Sequence, residues 1–138
     1  MIARVLFDPS LTALARAKLL PALVEINVAC GQIDAAAQGV SELETITTTY
    51  TSPALVASGA LARGRVELAR GQAEHAVLHL RRACRLWAEI DLPIELAQTR
   101  LLLSRAYAAL GNSGEAELEE RTALAAMERI GAGALQRE

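Results

Sequence analysis

The sequence predicts an all-α chain: a right-handed α-solenoid of about three helix–turn–helix units, with six to seven antiparallel helices in all. Three observations lead there. Hydrophobic residues fill 52% of the 138 positions but aromatics only 3%, so the core must come from Leu, Ala, Val and Ile, and Ala and Leu favour helix. Strand-forming residues are sparse outside Thr45 to Thr51. Finally, the chain repeats itself with a period of 40 residues, the kind of spacing that marks stacked helical units.

Gly31, Gly71 and Gly111 carry the period, in the contexts Ala29-Cys30-Gly31-Gln32, Ala69-Arg70-Gly71-Gln72 and Ala109-Leu110-Gly111-Asn112. Five residues after each glycine stands a small residue: Ala36, Ala76, Ala116. Pro53 and Pro93 share the register, as do Trp87 with Met127 and Ile90 with Ile130. Several independent columns in step are hard to produce by chance.

One unit reads as follows. A proline opens the first helix, where its missing N–H is not needed. The glycine closes it in the left-handed conformation that glycine adopts cheaply. A second helix follows within two residues; in the middle unit its apolar stripe is Ala76, Leu80, Ala83, Trp87 and Ile90, at helical steps of three and four. Asn112 or Ser113 can cap the last helix. The expected spans are 9–30, 32–48, 53–70, 72–91, 93–110 and 113–130. They form one domain, 1–138, with units near 13–52, 53–92 and 93–131 and a flexible, glycine-bearing tail 131–138. Pro21 should kink or split the first helix near Leu20, because its ring clashes with the preceding turn. The threonines from Thr45 to Thr51 should fray the second helix. Gly64, with Ala76 and Ala83 opposite, should let its helix pair pack closely, and Leu80 and Trp87 should fill the space between units.

Charge excludes some functions. The net charge is −2, from 14 basic and 16 acidic residues, which is no footprint for direct nucleic-acid binding. No apolar run reaches the ~18 residues of a membrane span, and no basic segment followed by a long apolar run opens the chain; a cytoplasmic protein is expected. Cys30 and Cys84 lack metal spacing and read as two small buried hydrophobes in a reducing compartment, or alternatively as a disulfide. His75 and His79 lie four apart on one helix, a two-ligand metal face in principle, but position 76 is Ala, HExxH is absent and no third ligand is evident. A polar helix face is the simpler reading. No nucleophile, base and orienting group can be assembled, so neither an enzyme nor a cofactor is expected.

Gly64, Gly71, Ala76, Leu80 and Ala83 in the middle unit, and Tyr107, Gly111, Ala116 and Ala123 in the last, give a pattern that resembles the tetratricopeptide repeat family over about residues 13–130. Two departures stand out: the family's unit is about 34 residues, shorter than this one, and Glu120 occupies an apolar column. The longer unit, with stretches such as Ala62 to Gly71, Leu80 to Leu92 and Ala97 to Gly111, resembles the helical-repeat region of large bacterial LuxR-type ATPase transcription regulators. No GxxxxGK[ST] loop occurs, and no helix-turn-helix segment follows Ile130. The resemblance therefore implies a sensor or scaffold segment that binds another protein or peptide.

In such stacks the first helix of each unit lines the concave face. Alignment on the glycines gives groove columns Glu25–Arg65–Arg105, Lys18–Ser58–Gln98 and Val28–Leu68–Ala108. Arg65 and Arg105 can hold an acidic group on a partner, since guanidinium forks bind carboxylates in bidentate fashion; the plainer reading pairs them with Glu25 or Glu67. A rival function, a small-molecule sensor, would need a closed apolar pocket near Leu61, Leu68 and Leu101. Glu115, Glu117, Glu119 and Glu120 suit the positive end of the last helix. Beyond them Ala123, Leu124, Met127 and Ile130 should be partly uncovered, and a homodimer through Leu124, Met127 and Ile130 is expected.

Overall fold

A computed structural model describes residues 9–137, with side chains over 12–132. The described residues form six helices and no strand: α1 Pro9–Ala29, α2 Ile33–Thr49, α3 Pro53–Ala69, α4 Ala73–Glu89, α5 Pro93–Ala109 and α6 Ser113–Arg137. The first five fall within two residues of the spans expected from the sequence. Among the described residues no helix is long and apolar enough to cross a membrane.

Each hairpin turns on its glycine. Gly31, Gly71 and Gly111 have φ of 77°, 78° and 81°. In each turn the residue after the glycine donates its N–H five residues back, Gln32 to Asn27, Gln72 to Glu67 and Asn112 to Tyr107, at 2.8–2.9 Å. The glycine itself donates three residues back, to Val28, Leu68 and Ala108. This pair of bonds is the Schellman closure, which satisfies the last carbonyls of a helix. The link between α4 and α5 uses the same device without glycine: Asp91 sits at φ 57°, and Leu92 donates to Trp87 at 3.0 Å. Pro53 and Pro93 stand at the first turns of α3 and α5, and the Ser52 hydroxyl accepts from Leu55 N–H at 3.4 Å.

Sequential helices pack on one another throughout, and α3 also packs on α1 and on α5. One apolar cluster joins α1, α2 and α3 through Leu20, Val24, Val40, Leu43 and Val66. A second joins α4, α5 and α6 through Leu80, Cys84, Leu103, Ala106 and Ala116. Between them α3 and α4 approach through small residues, with Trp87 among Ala57, Ala60 and Ala83. A Cβ added at Gly64 would lie 2.5 Å from Leu80 Cδ2 and 2.7 Å from its Cγ. Leu80, expected between units, thus fills the space left by Gly64 in its own hairpin. The first hairpin inverts the pair: Val24 is the large partner on the first helix, and Gly39 opposite would place a Cβ 3.2 Å from Val24 Cγ2. At the matching place in the third, Ser104 donates to the Ala116 carbonyl at 2.8 Å.

Several expectations are corrected. Pro21 does not split α1, which runs through it. Proline removes one helix hydrogen bond, but Ala17, Leu20 and Val24, all buried on either side of it, hold both halves in the core. The threonine run does not fray α2. Thr45, Thr47 and Thr48 return their hydroxyls to the carbonyls of Ser41, Glu44 and Thr45 at 2.6–3.0 Å, a local bond compatible with helix, and buried Ile46 anchors the turn. The tail expected from Gly131 is helical through Arg137. Glycine weakens a helix by about 1 kcal/mol relative to alanine but does not stop one unless the chain reverses there. Ala123 is fully buried rather than uncovered, whereas Leu124 is exposed and Met127 and Ile130 are partly uncovered, as the sequence leads one to expect. Cys30 is exposed, beside the turn glycine, and not a core residue; both cysteines are free.

The buried single tryptophan, Trp87, makes fluorescence a reporter of unfolding. Gly64→Ala forces Leu80, which has no exposed surface, to move, and should cost about 1–3 kcal/mol in urea denaturation. Combined with Leu80→Ala, its cost should fall well short of the sum of the two single changes. Asp91→Gly keeps the left-handed turn but removes the Cβ that makes it unfavourable, and should raise stability by about 0.5–1 kcal/mol in the same assay; a lower midpoint would contradict the strain assigned to that link.

Candidate functional site

The strongest candidate site is an open cleft of about 260 Å³ across α1, α3 and α5. Its polar rim is Lys18 and Glu25 from α1, Ser58 and Arg65 from α3, and Gln98 from α5; Pro21, Ala22, Leu61 and Ala62 supply the apolar floor. The cleft exists because α3 packs on α1 and on α5, so the first helices of three hairpins lie side by side. Five of the seven groove residues anticipated from the register therefore meet in one place. Leu68 does not join them; it lines a separate hollow with Gly71, Ala109 and Leu110. Arg105 is exposed and outside the cleft wall, although its charge reaches Arg65. The floor comes from the neighbouring columns at Ala22, Leu61 and Ala62, which the sequence reading missed; the two alanines at matching places were the available signal.

Arg65 is the site's most constrained cation. Only 22% of its side chain is exposed. Burial is the main cause that pushes its pKa below the ordinary arginine value; Glu25 opposes this and Arg105 adds to it. Glu25 approaches only to 4.0 Å, and its own side chain is 62% exposed. That contact is too long for a hydrogen bond, so the guanidinium is partly desolvated without a directional acceptor from Glu25.

Arg63, two residues away, is differently placed. It donates to both carboxylate oxygens of Glu44 on α2, at 2.7 and 3.1 Å, and stands 3.8 Å from Glu67. Glu67 in turn lies 3.9 Å from Arg70 and 3.6 Å from His75. This network ties α3 to α2 and is structural. Arg16 with Glu42, and Arg100 with Glu119 at 3.1 Å, tie the helices of the first and third hairpins.

His79 is held below its ordinary pKa, first by burial and then by the Arg63 guanidinium. It lines a shallow hollow with Glu44, Thr47 and Arg82. Among the described residues no group of three or more His, Cys, Asp or Glu is placed to hold a metal ion. Burial raises the Cys84 thiol to about 11. Trp87 is 4% exposed and its indole N–H lacks an acceptor among the described residues, at a cost of about 1–3 kcal/mol. The open cleft contains Leu61 but neither Leu68 nor Leu101.

Compared with protein-family models, curated proteins and solved structures, the chain matches none.

The cysteines should separate chemically. At pH 8 a disulfide reagent should modify exposed Cys30 quickly and reach Cys84 only on unfolding, since the reactive thiolate is disfavoured there; rapid modification of both thiols in the folded chain would refute the burial of Cys84. The sign of the linkage follows: the unfolded thiol, near 9, loses its proton before the folded one, so stability should fall as pH rises from about 9 to about 11.

Proposed function

We propose that this chain is a tetratricopeptide-like right-handed solenoid of three hairpins that binds an extended segment of another protein, with Arg65 receiving an acidic group. The observation that carries this reading is the half-desolvated Arg65 guanidinium, held at arm's length from Glu25 in a cleft built from the first helices of all three hairpins. A carboxylate delivered by a partner would meet a cation that has already lost much of its water, so the charge-assisted bond costs little further desolvation. Ser58 and Gln98 offer hydrogen-bonding groups along the same wall, and the apolar floor accepts a small side chain. The forty-residue register and the three Schellman turns support the solenoid. The resemblance to the helical-repeat region of LuxR-type regulators points to the sensor or scaffold part of such a regulator.

A small-molecule effector is the second reading. Effector pockets are typically about 300–1,000 Å³, enclosed and mostly apolar. The cleft is smaller, open to solvent and rimmed by Lys18, Glu25 and Arg65, which suits one stretch of an extended chain better than an engulfed ligand.

Peptides selected from a randomised library on the folded chain should be enriched in Asp and Glu. By fluorescence polarisation, Arg65→Glu combined with Arg105→Glu should weaken a selected peptide at least about tenfold, roughly 1.4 kcal/mol, and added salt should weaken it too. Equal affinity of the double variant would remove the cleft from consideration.

A further inference from the structure

The two ends of the described chain carry exposed apolar side chains, and the forty-residue register relates them. Each residue of α1 has counterparts in α3 and α5. Leu19 corresponds to Gly59 and Thr99, Leu23 to Arg63 and Leu103, and Ile26 to Val66 and Ala106. In α3 and α5 this column is closed off by the preceding hairpin. Gly59, Val66, Thr99, Leu103 and Ala106 are buried, and Arg63 is bonded to Glu44 of α2. In α1 the same column faces solvent: Leu19 is 62% exposed, Leu23 47% and Ile26 57%. Among the described residues, these aliphatic side chains occupy contact positions that no neighbouring helix fills.

The register also says what covers such a column. Inside the chain it is the second helix of the preceding hairpin. At the first joint Glu44 of α2 meets Arg63 of α3. Forty residues on, their counterparts are Cys84 of α4 and Leu103 of α5, both in one apolar cluster. Another step leads to Leu124 of α6, whose mate by the same count is Leu23 of α1. Leu124 is 51% exposed. The two leucines left open at opposite ends are therefore register mates, and their chemistry agrees: the first joint pairs charge with charge, the second apolar with apolar, and the open ends offer leucine to leucine. A neighbouring pair is sterically matched. Leu43 lies opposite Gly59, where a Cβ would be 3.9 Å from Leu43 Cγ; at the open ends the matching α6 position, Ala123, is buried within its own chain, so Leu19 adds apolar surface at the rim of the joint and not a second register pair.

We infer that α1 of one chain docks on α6 of a second copy, head to tail, forming one more joint of the kind the chain already contains twice. The inference rests on the repeat register and on end faces separate from Arg65 and its peptide. One position works against it: Glu120 stands where Val40 and Leu80 do and would face Ile26, so this joint buries less apolar surface than the internal two. Association should accordingly be reversible and concentration-dependent. The contact is heterologous, and such contacts propagate into rings or open rows instead of stopping at two copies.

Sedimentation velocity and light scattering of the full chain test this. The wild-type mass should rise above 14.7 kDa with concentration. Leu23→Arg and Leu124→Arg, both at exposed positions, should each be monomeric while keeping wild-type Trp87 fluorescence and peptide affinity. Mixed in equal amounts, they should form a pair of twice the chain mass and no larger species, because each supplies the face the other lacks. A monomer at every concentration up to several hundred micromolar overturns the inference. So does assembly lost in only one of the two variants, which indicates a symmetric α1–α1 or α6–α6 contact, or a mixture that fails to pair.

Discussion

The structure depends on chain reversal at three glycines with positive φ. Each reversal ends a helix through two backbone hydrogen bonds and starts its antiparallel partner within two residues, so the turn allows little variation in how the second helix returns. Because the same closure recurs every forty residues, the packing problem is solved three times in one geometry. This is why the side chains at a given register position meet comparable environments, and why departures from the register can be read physically.

The departures are compensated locally. A hairpin interface needs one large and one small residue at its closest approach. The middle hairpin satisfies this with Leu80 against Gly64, the first with Val24 against Gly39. A sequence column that reads Val, Gly, Ser looks poorly kept, yet in the first two hairpins a large residue faces a glycine across the interface, and in the third Ser104 bonds the facing Ala116 carbonyl. Between hairpins it is the kind of contact that changes: the charge pair Glu44–Arg63 at the first joint is replaced by the apolar Cys84 and Leu103 at the second. Close-packed interiors respond to the combined volume of facing residues, and a single column contains half of that information.

That distinction explains what was legible in the sequence. The helices, their prolines and their glycine stops were legible because they follow from local backbone chemistry. The cleft was legible in outline because the register places Lys18, Glu25, Ser58, Arg65 and Gln98 on first helices. Its floor was less so: whether Ala22 and Ala62 or Val28 and Leu68 lie beneath the polar rim depends on helix rotation, which spacing alone leaves open. Pro21, the threonine run and Gly131 misled for a related reason. Each lowers helix propensity, but propensity is a matter of about 1 kcal/mol per residue for threonine and glycine. Tertiary contacts such as those of Ala17, Val24 and Ile46 outweigh it. The left-handed turn at Asp91 carried a weaker signal than a glycine, since aspartate is only modestly favoured in that conformation and more often sits elsewhere.

The two arginines on α3 show why burial and pairing must be read together. Arg63 and Arg65 are separated by one residue and have similar exposure, 17% and 22%. From sequence either could bind a partner or pair with a glutamate. Arg63 has a two-pronged acceptor in Glu44, whose hydrogen bonds raise its pKa against the effect of burial. Its capacity is spent on joining α2 to α3. Arg65 has lost water without gaining an equivalent acceptor from Glu25, and its pKa moves the opposite way. A desolvated cation with a distant counterion costs free energy in the isolated chain, and an incoming carboxylate at hydrogen-bonding distance would recover that cost. The opposite shifts of the two neighbouring guanidiniums thus follow from one difference between them: Arg63 has a two-pronged acceptor in Glu44, whereas Glu25 gives Arg65 none.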